Sequence, residues 1–424
     1  MKSGTYDQNL IPLGPDESII RKTELIISGV LRGGVLLSVA VILGGITLFF
    51  AQRLAGLLPH PTFPDTLPAV WNGMLRGDSL AIVVVGLLVL LATPVLRVGV
   101  SVAAFALEED RTYVLITSLV LVILLGSIFG IGAWLGRPHP AAVVDDHLWF
   151  FFVVLFFSSF AGFIGALVGL GGGVFIVPIL TLGFHVPFTA AIGASIVSVI
   201  ATSSGAAAAY VKDRMTNLRV GMFLEVATTL GAVCGAFLST LLNPTVLFLV
   251  FGLVLLISAL PLIMRLGEEL PEGVVNHKWA QRLRLPGSYP DQRTHQDVEY
   301  HVAHIRWGFS MMWFAGLISG LLGIGSGTFK VLAMDTAMRL PMKVSTTTSN
   351  FMIGVTAAAS AGIFFQRGDI DPVIAAPVAL GVLLGATIGA KTITRVSNVL
   401  LKKLFVPVIV LVALNMLARG FGWL

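Results

Sequence analysis

The chain has 424 residues, of which 12 % are charged, about half the share found in an ordinary soluble domain. The hydrophobic fraction is 56 % and the mean hydropathy is +0.92, which is more apolar surface than one water-soluble fold of this length can bury. The net charge of +5 comes from basic residues scattered between apolar runs, which excludes nucleic acid as a partner and indicates membrane topology instead. The composition therefore predicts an all-α polytopic membrane protein, because a lipid-exposed backbone must satisfy its own hydrogen bonds.

Apolar runs of about 20 residues, the length that crosses a bilayer, predict the membrane spans. These runs lie at 26–51, 79–104, 112–135, 149–168, 189–211, 219–242, 245–264, 306–324, 342–365, 372–393 and 399–420. Two further runs, 173–184 and 327–340, follow glycine-rich breaks and are too short to cross upright at about 1.5 Å per residue. The chain crosses the membrane thirteen times if both short runs cross, or nine times if each forms a re-entrant hairpin with the preceding span.

Lysine and arginine set the predicted orientation. With the N-terminus in the cytoplasm, nineteen of the 27 basic residues lie inside and five outside, the bias that membrane proteins show. Arg97, in the run 79–104, is counted with the nineteen on the cytoplasmic side, whereas Arg32, Lys330 and Lys391 are left uncounted within apolar runs. Both crossing numbers are odd, so the C-terminus is predicted outside.

The chain contains an internal repeat, since 161–236 aligns without a gap to 315–390 at an offset of 154 residues. Nine positions are matched, pairing Gly162, Gly169, Gly171, Gly173, Phe175, Pro187, Ser195, Gly231 and Gly235 with Gly316, Gly323, Gly325, Gly327, Phe329, Pro341, Ser349, Gly385 and Gly389. The basic residues put 212–219 inside and the matched 366–372 outside, which predicts two repeats of inverted topology.

The predicted organisation follows from these runs. A cytoplasmic tail (1–25) precedes an N-terminal three-span module (26–135), two transporter repeats (149–264 and 306–424) and a cytoplasmic linker (265–305) between the repeats. The linker is expected to be solvated and partly helical, although its histidines His295, His301 and His304 leave a metal cluster as an alternative. No metal and no cofactor are predicted.

Glycine interrupts both repeats at matched positions. The interruptions comprise Gly169, Gly171, Gly172 and Gly173 in the first repeat, and Gly323, Gly325, Ser326 and Gly327 in the second. In inverted-repeat transporters, broken helices meet near the midplane, where backbone N–H groups that open a half-helix can bind an anion. Tight glycine packing between helices is the alternative. Neither interruption fits a nucleotide fingerprint, so ATP hydrolysis is not implied.

Few ionisable residues lie within the apolar runs. Lys330 costs several kcal/mol there unless it is paired or hydrated, so it faces an anion site, neutralises Asp335 or snorkels to the surface. An ideal helix does not place Asp335 well for that pairing. Glu225 and Asp335 are candidates for proton coupling, and Glu225 alternatively lines a hydrated cavity near Arg219.

Hydroxyl and amide side chains follow both interruptions. Ser195, Thr348, Ser349 and Asn350 are candidate neutral donors to an oxyanion. The alternative is that the hydroxyls bond back to carbonyls of their own helix.

The doubled Gly-x-Gly-x-Gly pattern resembles the TauE/SafE sulfite-exporter family. Each copy has a proline fourteen residues beyond its last glycine, Pro187 or Pro341, and a serine eight further on, Ser195 or Ser349. The resemblance covers about 149–420 and implies a prokaryotic inner-membrane permease, with several members linked to export of sulfite, sulfoacetate or related anions. The second copy departs from the pattern at Ser326. Residues 26–135 resemble an uncharacterised three-span domain that brings no activity with it.

The sequence therefore predicts a secondary transporter, not an enzyme, that exports a small anion such as sulfite or an organosulfonate by alternating access. Its expected partners are the anion, the lipid bilayer and, as one alternative for coupling, the proton. A passive anion channel and a non-transporting sensor or assembly subunit are the other candidates. Its oligomeric state is left open.

Overall fold

The described residues of the N-terminal third of the chain are mostly helical. The computed structural model describes residues 15–56, 67–131, 148–168, 171–212, 215–264, 278–291, 296–392 and 398–423. The first helices are α1 (Pro15–Leu54), α2 (Leu67–Leu75), α3 (Ser79–Leu107) and α4 (Arg111–Leu125), the last continuing as a π-helical turn over Gly126–Ile131. Carboxylates define two starts, because Asp78 accepts from the Leu80 N–H and Asp110 from that of Tyr113. The short α2 was not predicted.

Two similar series of helices follow. The first comprises α5 (Leu148–Val168), α6 (Gly173–Pro178) with a π-helical turn over Ile179–Gly183, α7 (Phe188–Lys212), α8 (Leu218–Leu241) and α9 (Pro244–Met264). The second comprises α11 (Ile305–Leu322), α12 (Gly327–Leu332) with a π-helical turn over Ala333–Ala337, α13 (Met342–Gln366), α14 (Pro372–Thr392) and α15 (Asn398–Gly420). Between them lie α10 (Lys278–Arg282) and a hairpin of β1 (Gly287–Asp291) and β2 (Gln296–Tyr300).

The prediction of an all-α polytopic membrane protein is confirmed. Among the described residues, nine helices are long and apolar enough to cross a membrane. The two predicted short runs correspond to α6 and α12 with their π-helical turns, which end at Gly183 and Ala337.

Glycine brings helices of the two series into close contact. An added Cβ at Gly162 in α5 would collide with the carbonyl oxygen of Val382 in α14, and one at Gly316 in α11 with that of Thr228 in α8. The two contacts are equivalent under the 154-residue offset, because Gly162 matches Gly316 and Thr228 matches Val382. The glycine of each repeat therefore contacts the matched position of the other repeat. The same offset relates the contact of Gly231 with Trp313 to that of Gly385 with Ser159. The matched glycines therefore serve helix packing at these crossings.

The linker differs from its prediction. Its described part is only partly solvated, because Leu285, Tyr300 and Val302 are buried while Lys278, Arg282 and Arg284 are exposed. The Asn217 side-chain amide, just before α8, donates to the Leu285 carbonyl (2.9 Å) and to the Tyr300 hydroxyl (2.8 Å). Tyrosines at 289 and 300 supply an apolar hairpin face that composition alone does not place. The hairpin therefore packs against the α7–α8 connection.

The opposite end of α13 is held by buried charges. Arg367 Nε lies 3.0 Å from Asp369 Oδ2, and its Nη1 donates to Ser239 Oγ at 3.3 Å. Asp371 accepts from the Val373 N–H, and burial raises the pKa of this carboxyl to about 6. The α13–α14 connection is thus fixed by polar contacts on a largely buried backbone.

The glycine crossings generate a stability prediction. We expect Gly316→Ala to destabilise the protein by about 1–3 kcal/mol, because the new methyl group must push apart two backbones. Gly99→Ala is the matched control, since an added Cβ there has nothing within 4 Å. Apparent Tm in detergent measures both, and an equal Tm for the two variants would contradict the packing role.

Candidate functional site

The two glycine breaks meet at one point in the molecule. Gly171 and Gly325 adopt left-handed φ angles of +74° and +72°, which a residue with a side chain rarely adopts. A Cβ on Gly171 would lie 3.8 Å from methyl groups of both Val199 and Ile353, and one on Gly325 would lie 2.7 Å from Ile353 and 2.8 Å from Val199. Val199 and Ile353 are themselves matched by the 154-residue offset. The fold therefore joins the two breaks around an equivalent pair of side chains from α7 and α13.

Serines hold the breaks in place. Ser195 Oγ donates to the carbonyl oxygens of Gly173 (3.1 Å) and Gly323 (2.8 Å), which links the first break to the second. Ser349 Oγ donates to the Gly327 carbonyl at 3.2 Å. These bonds run between helices, unlike the back-bonding considered from the sequence. Because each hydroxyl has one proton, donation from Ser195 or Ser349 to an oxyanion requires these bonds to open.

A buried pair of opposite charges lies beside the breaks. Lys330 in α12 and Glu225 in α8 are both 0 % exposed and attract each other. Lys330 Nζ donates to Thr356 Oγ1, which lies 3.2 Å from Glu225 Oε2, and Thr228 Oγ1 donates to the same oxygen at 2.8 Å. Lys330 therefore does not snorkel, and its charge partner comes from the other repeat.

The remaining predicted site residues make other contacts. Asp335 is half-buried in the π-helical turn after α12. Thr348 accepts a hydrogen bond from the Asn217 backbone N–H at 3.1 Å, and Asn350 is buried. Arg219, the suggested neighbour of Glu225, forms ion pairs with Glu108 and Asp110 instead. Gly169 lies outside the described residues.

Two buried hydroxyls lie near the breaks without a hydrogen-bond partner in the described part of the chain. Ser326, in the second break, has a left-handed φ of +48°. Ser198 Oγ would lie 3.3 Å from a Cβ at Gly172 in the first break. Unpartnered buried hydroxyls can receive a ligand or water. The two hydroxyls therefore add hydrogen-bonding groups beside the glycine breaks.

Arg97 corrects the sequence analysis. It was counted among the basic residues at the cytoplasmic side, but α3 continues to Leu107 and the Arg97 side chain is 0 % exposed within the bundle. Its guanidinium lies over the Phe351 ring at 4.7 Å, within reach of Ser203 Oγ (3.5 Å), and interacts electrostatically with Glu225 and Lys330. The third buried charge thus comes from the N-terminal module.

A sequence signal for Arg97 existed. Thr93, Arg97 and Ser101 are spaced by four residues in an otherwise apolar run, so they share one helix face. A polar face on a membrane helix indicates contact with protein instead of lipid. The structure agrees, since the Thr93 hydroxyl lies 3.0 Å from that of Ser204 in α7.

The charges predict an order of stability for two variants. Glu225→Gln leaves two buried cations without a counter-charge, whereas Lys330→Met leaves the Arg97 and Glu225 charges to balance each other. We expect Glu225→Gln to lower the apparent Tm more, because an uncompensated buried charge costs about 3–5 kcal/mol. Thermal unfolding of both variants in one detergent measures this, and the reverse order would contradict the charge cluster.

Comparison with known proteins identifies both parts of the chain. The sulfite exporter TauE/SafE family matches residues 154–416, and a family described as protein of unknown function (DUF1634) matches residues 27–129. The probable membrane transporter protein YunE of Bacillus subtilis is 25 % identical over 277 residues, which cover 64 % of this chain and 98 % of YunE. The probable membrane transporter protein YdhB of the same organism is 26 % identical over 251 residues, covering 59 % of this chain and 91 % of YdhB. No solved structure matches the chain significantly.

Proposed function

Because the chain belongs to the sulfite exporter TauE/SafE family, we propose that this membrane transporter is a secondary exporter of a small anion such as sulfite, an organosulfonate or a related oxyanion. The main support for this proposal is that the two glycine breaks meet around Val199 and Ile353, beside the buried Lys330. A small anion fits this place because Lys330 supplies a positive charge shielded from water, where electrostatic attraction is strong.

Alternating access about the breaks is the mechanism we infer. The close contacts recur at an offset of 154 residues with their partners exchanged, which is the pattern that a pseudo-two-fold axis produces. Two such halves can rock against each other about a fixed central site. The charged residues of that site are 0 % exposed, so this conformation corresponds to an occluded state.

We also propose an orientation of the protein in the membrane. The excess of lysine and arginine on one set of loops supports a cytoplasmic N-terminus and linker and an external C-terminus. The family to which the chain belongs suggests a prokaryotic inner membrane. The linker hairpin then covers the cytoplasmic end of the repeats. Its contacts with Asn217 must loosen or move with α8 when that end opens.

Glu225 couples the anion to a proton in this mechanism. While Glu225 is ionised, its charge competes with the anion for Lys330. Protonation removes that competition, so proton and anion binding favour each other. Asp335, half-buried beyond α12, is a second candidate for a proton step along the pathway.

Flux measurements test the function. Purified protein in proteoliposomes should show saturable flux of at least one of sulfite, sulfate, thiosulfate, sulfoacetate or a short carboxylate, with ligand-induced thermal stabilisation used to select the anion. We expect Lys330→Met to lower this flux at least tenfold, because the site loses a charge-assisted partner. Lys278→Met is the control, since Lys278 is exposed at the start of α10.

Three outcomes would contradict the proposal. Equal flux in Lys330→Met and the wild type would remove Lys330 from the site. Flux without saturation and insensitive to a proton gradient would indicate a passive channel. Absence of flux for every anion, together with stable co-purification of another protein, would indicate a sensor or assembly subunit.

Glu225→Gln tests the coupling separately. The amide keeps the size of the side chain but cannot take up a proton, so we expect residual flux that no longer responds to an imposed pH gradient. The wild type, measured in the same liposomes, should respond. A pH-gradient response retained in Glu225→Gln would show that the proton uses another group, and Asp335→Asn is the next variant to measure.

A further inference from the structure

The buried charge cluster carries one positive charge in excess. Arg97, Lys330 and Glu225 are each 0 % exposed and interact with one another, so two cations share one carboxylate. An unbalanced charge in a low-dielectric interior is costly. The cluster therefore lacks one negative charge, and none of the interactions found for these three residues within the described part of the chain supplies it.

Arg97 also has unused hydrogen-bond donors. Its Nε and Nη1 atoms have no partner among the described residues, and only Nη2 reaches Ser203 Oγ, at 3.5 Å. The guanidinium is instead oriented by its stacking on Phe351. The Arg97 guanidinium thus has a fixed position and unused N–H donors. Such a buried group is suited to bind a hydrogen-bond acceptor from outside the chain.

Arg97 lies close to the point where the breaks meet. Ser203 follows Val199 by one helical turn on α7, and Gly354 directly follows Ile353 on α13. A Cβ at Gly354 would collide with Ser203 Oγ and lie 2.7 Å from Arg97 Nη2, so the missing side chain makes room for both the Ser203 hydroxyl and the guanidinium. The matched residue of the first repeat is Ile200, and the space for Arg97 is therefore a feature of the second repeat alone.

We propose that Arg97 and Lys330 together bind the oxygen atoms of the transported anion, so that the N-terminal module supplies part of the substrate site. This inference rests on the proposed function. It narrows the substrate class to oxyanions, because a planar guanidinium with several N–H groups suits sulfonate, sulfite or carboxylate oxygens. An anion of single charge neutralises the cluster while Glu225 is ionised, and an anion of double charge neutralises it once Glu225 is protonated.

Anion affinity of the full-length protein tests the inference. Sulfite, sulfate, thiosulfate and sulfoacetate are titrated into wild type, Arg97→Gln, Arg97→Lys and Arg111→Gln, and Kd is taken from the anion-dependent Tm. We expect at least a tenfold higher Kd for Arg97→Gln and a smaller rise for Arg97→Lys, which keeps the charge. Arg111→Gln should match the wild type, because Arg111 is an exposed residue of the same module.

Stability without anion separates binding from a structural role. Removing the excess charge should leave anion-free Arg97→Gln at least as stable as the wild type. A side chain needed only for packing would give the opposite result, with a lower anion-free Tm and an unchanged Kd, and that result would overturn the inference.

Gly354→Ala provides a second variant that keeps Arg97 itself. The new methyl group would collide with Ser203 Oγ and with Arg97 Nη2, so both must move and Kd should rise as in Arg97→Gln. Gly205→Ala is its control, since an added Cβ there meets only Leu383 at an ordinary 3.8 Å.

The outcomes distinguish this inference from the proposed function. Equal Kd in the wild type, Arg97→Gln and Gly354→Ala would overturn the role of Arg97 while leaving anion transport through Lys330 intact. If the wild type neither transports nor is stabilised by any of the anions, the proposed function fails and the role of Arg97 fails with it.

Discussion

The structure depends on keeping charge inside a bundle whose outer solvent is lipid. Lys330 and Glu225 come from different repeats, and neither charge is tolerable in such an interior without an opposite charge nearby. Their attraction therefore ties α12 to α8 across the molecule. Thr356 lies between them on α13, so a third helix is held in the same network. Under the proposed mechanism, a change in the protonation or pairing of this network would change the balance of forces between the two halves.

Glycine serves two different purposes in this arrangement. At Gly162 and Gly316 the absent side chain lets helix backbones touch, which builds the paired scaffold around the centre. At Gly171 and Gly325 the left-handed backbone interrupts a helix and brings the two breaks to one place. In the sequence, both kinds of glycine belong to one pattern of matched positions. A glycine that packs helices can be distinguished from one that interrupts a helix only when its neighbours in the structure are known.

The N-terminal module is joined to the repeats by polar contacts within the apolar interior. Besides Arg97, its Thr93 reaches Ser204, and the Gln366 side chain at the end of α13 donates to the Ile128 carbonyl at 2.7 Å. Polar contacts in such a setting are specific, because an unpaired group has no water to replace its partner. This interface gives a physical reason for a transporter repeat pair and an N-terminal domain to occur in one chain.

The sequence by itself determined the membrane class, the helical spans and the matched glycine breaks, because apolar length and the offset of 154 residues are properties of the linear chain. The family resemblance was also correct. Only the tertiary structure decided that Lys330 and Glu225 are linked through Thr356, that Arg97 is buried and that the linker packs against Asn217. The physical reason is that these contacts join residues far apart in the chain. Which side chains meet depends on how each helix is rotated about its axis, and hydropathy does not specify that rotation.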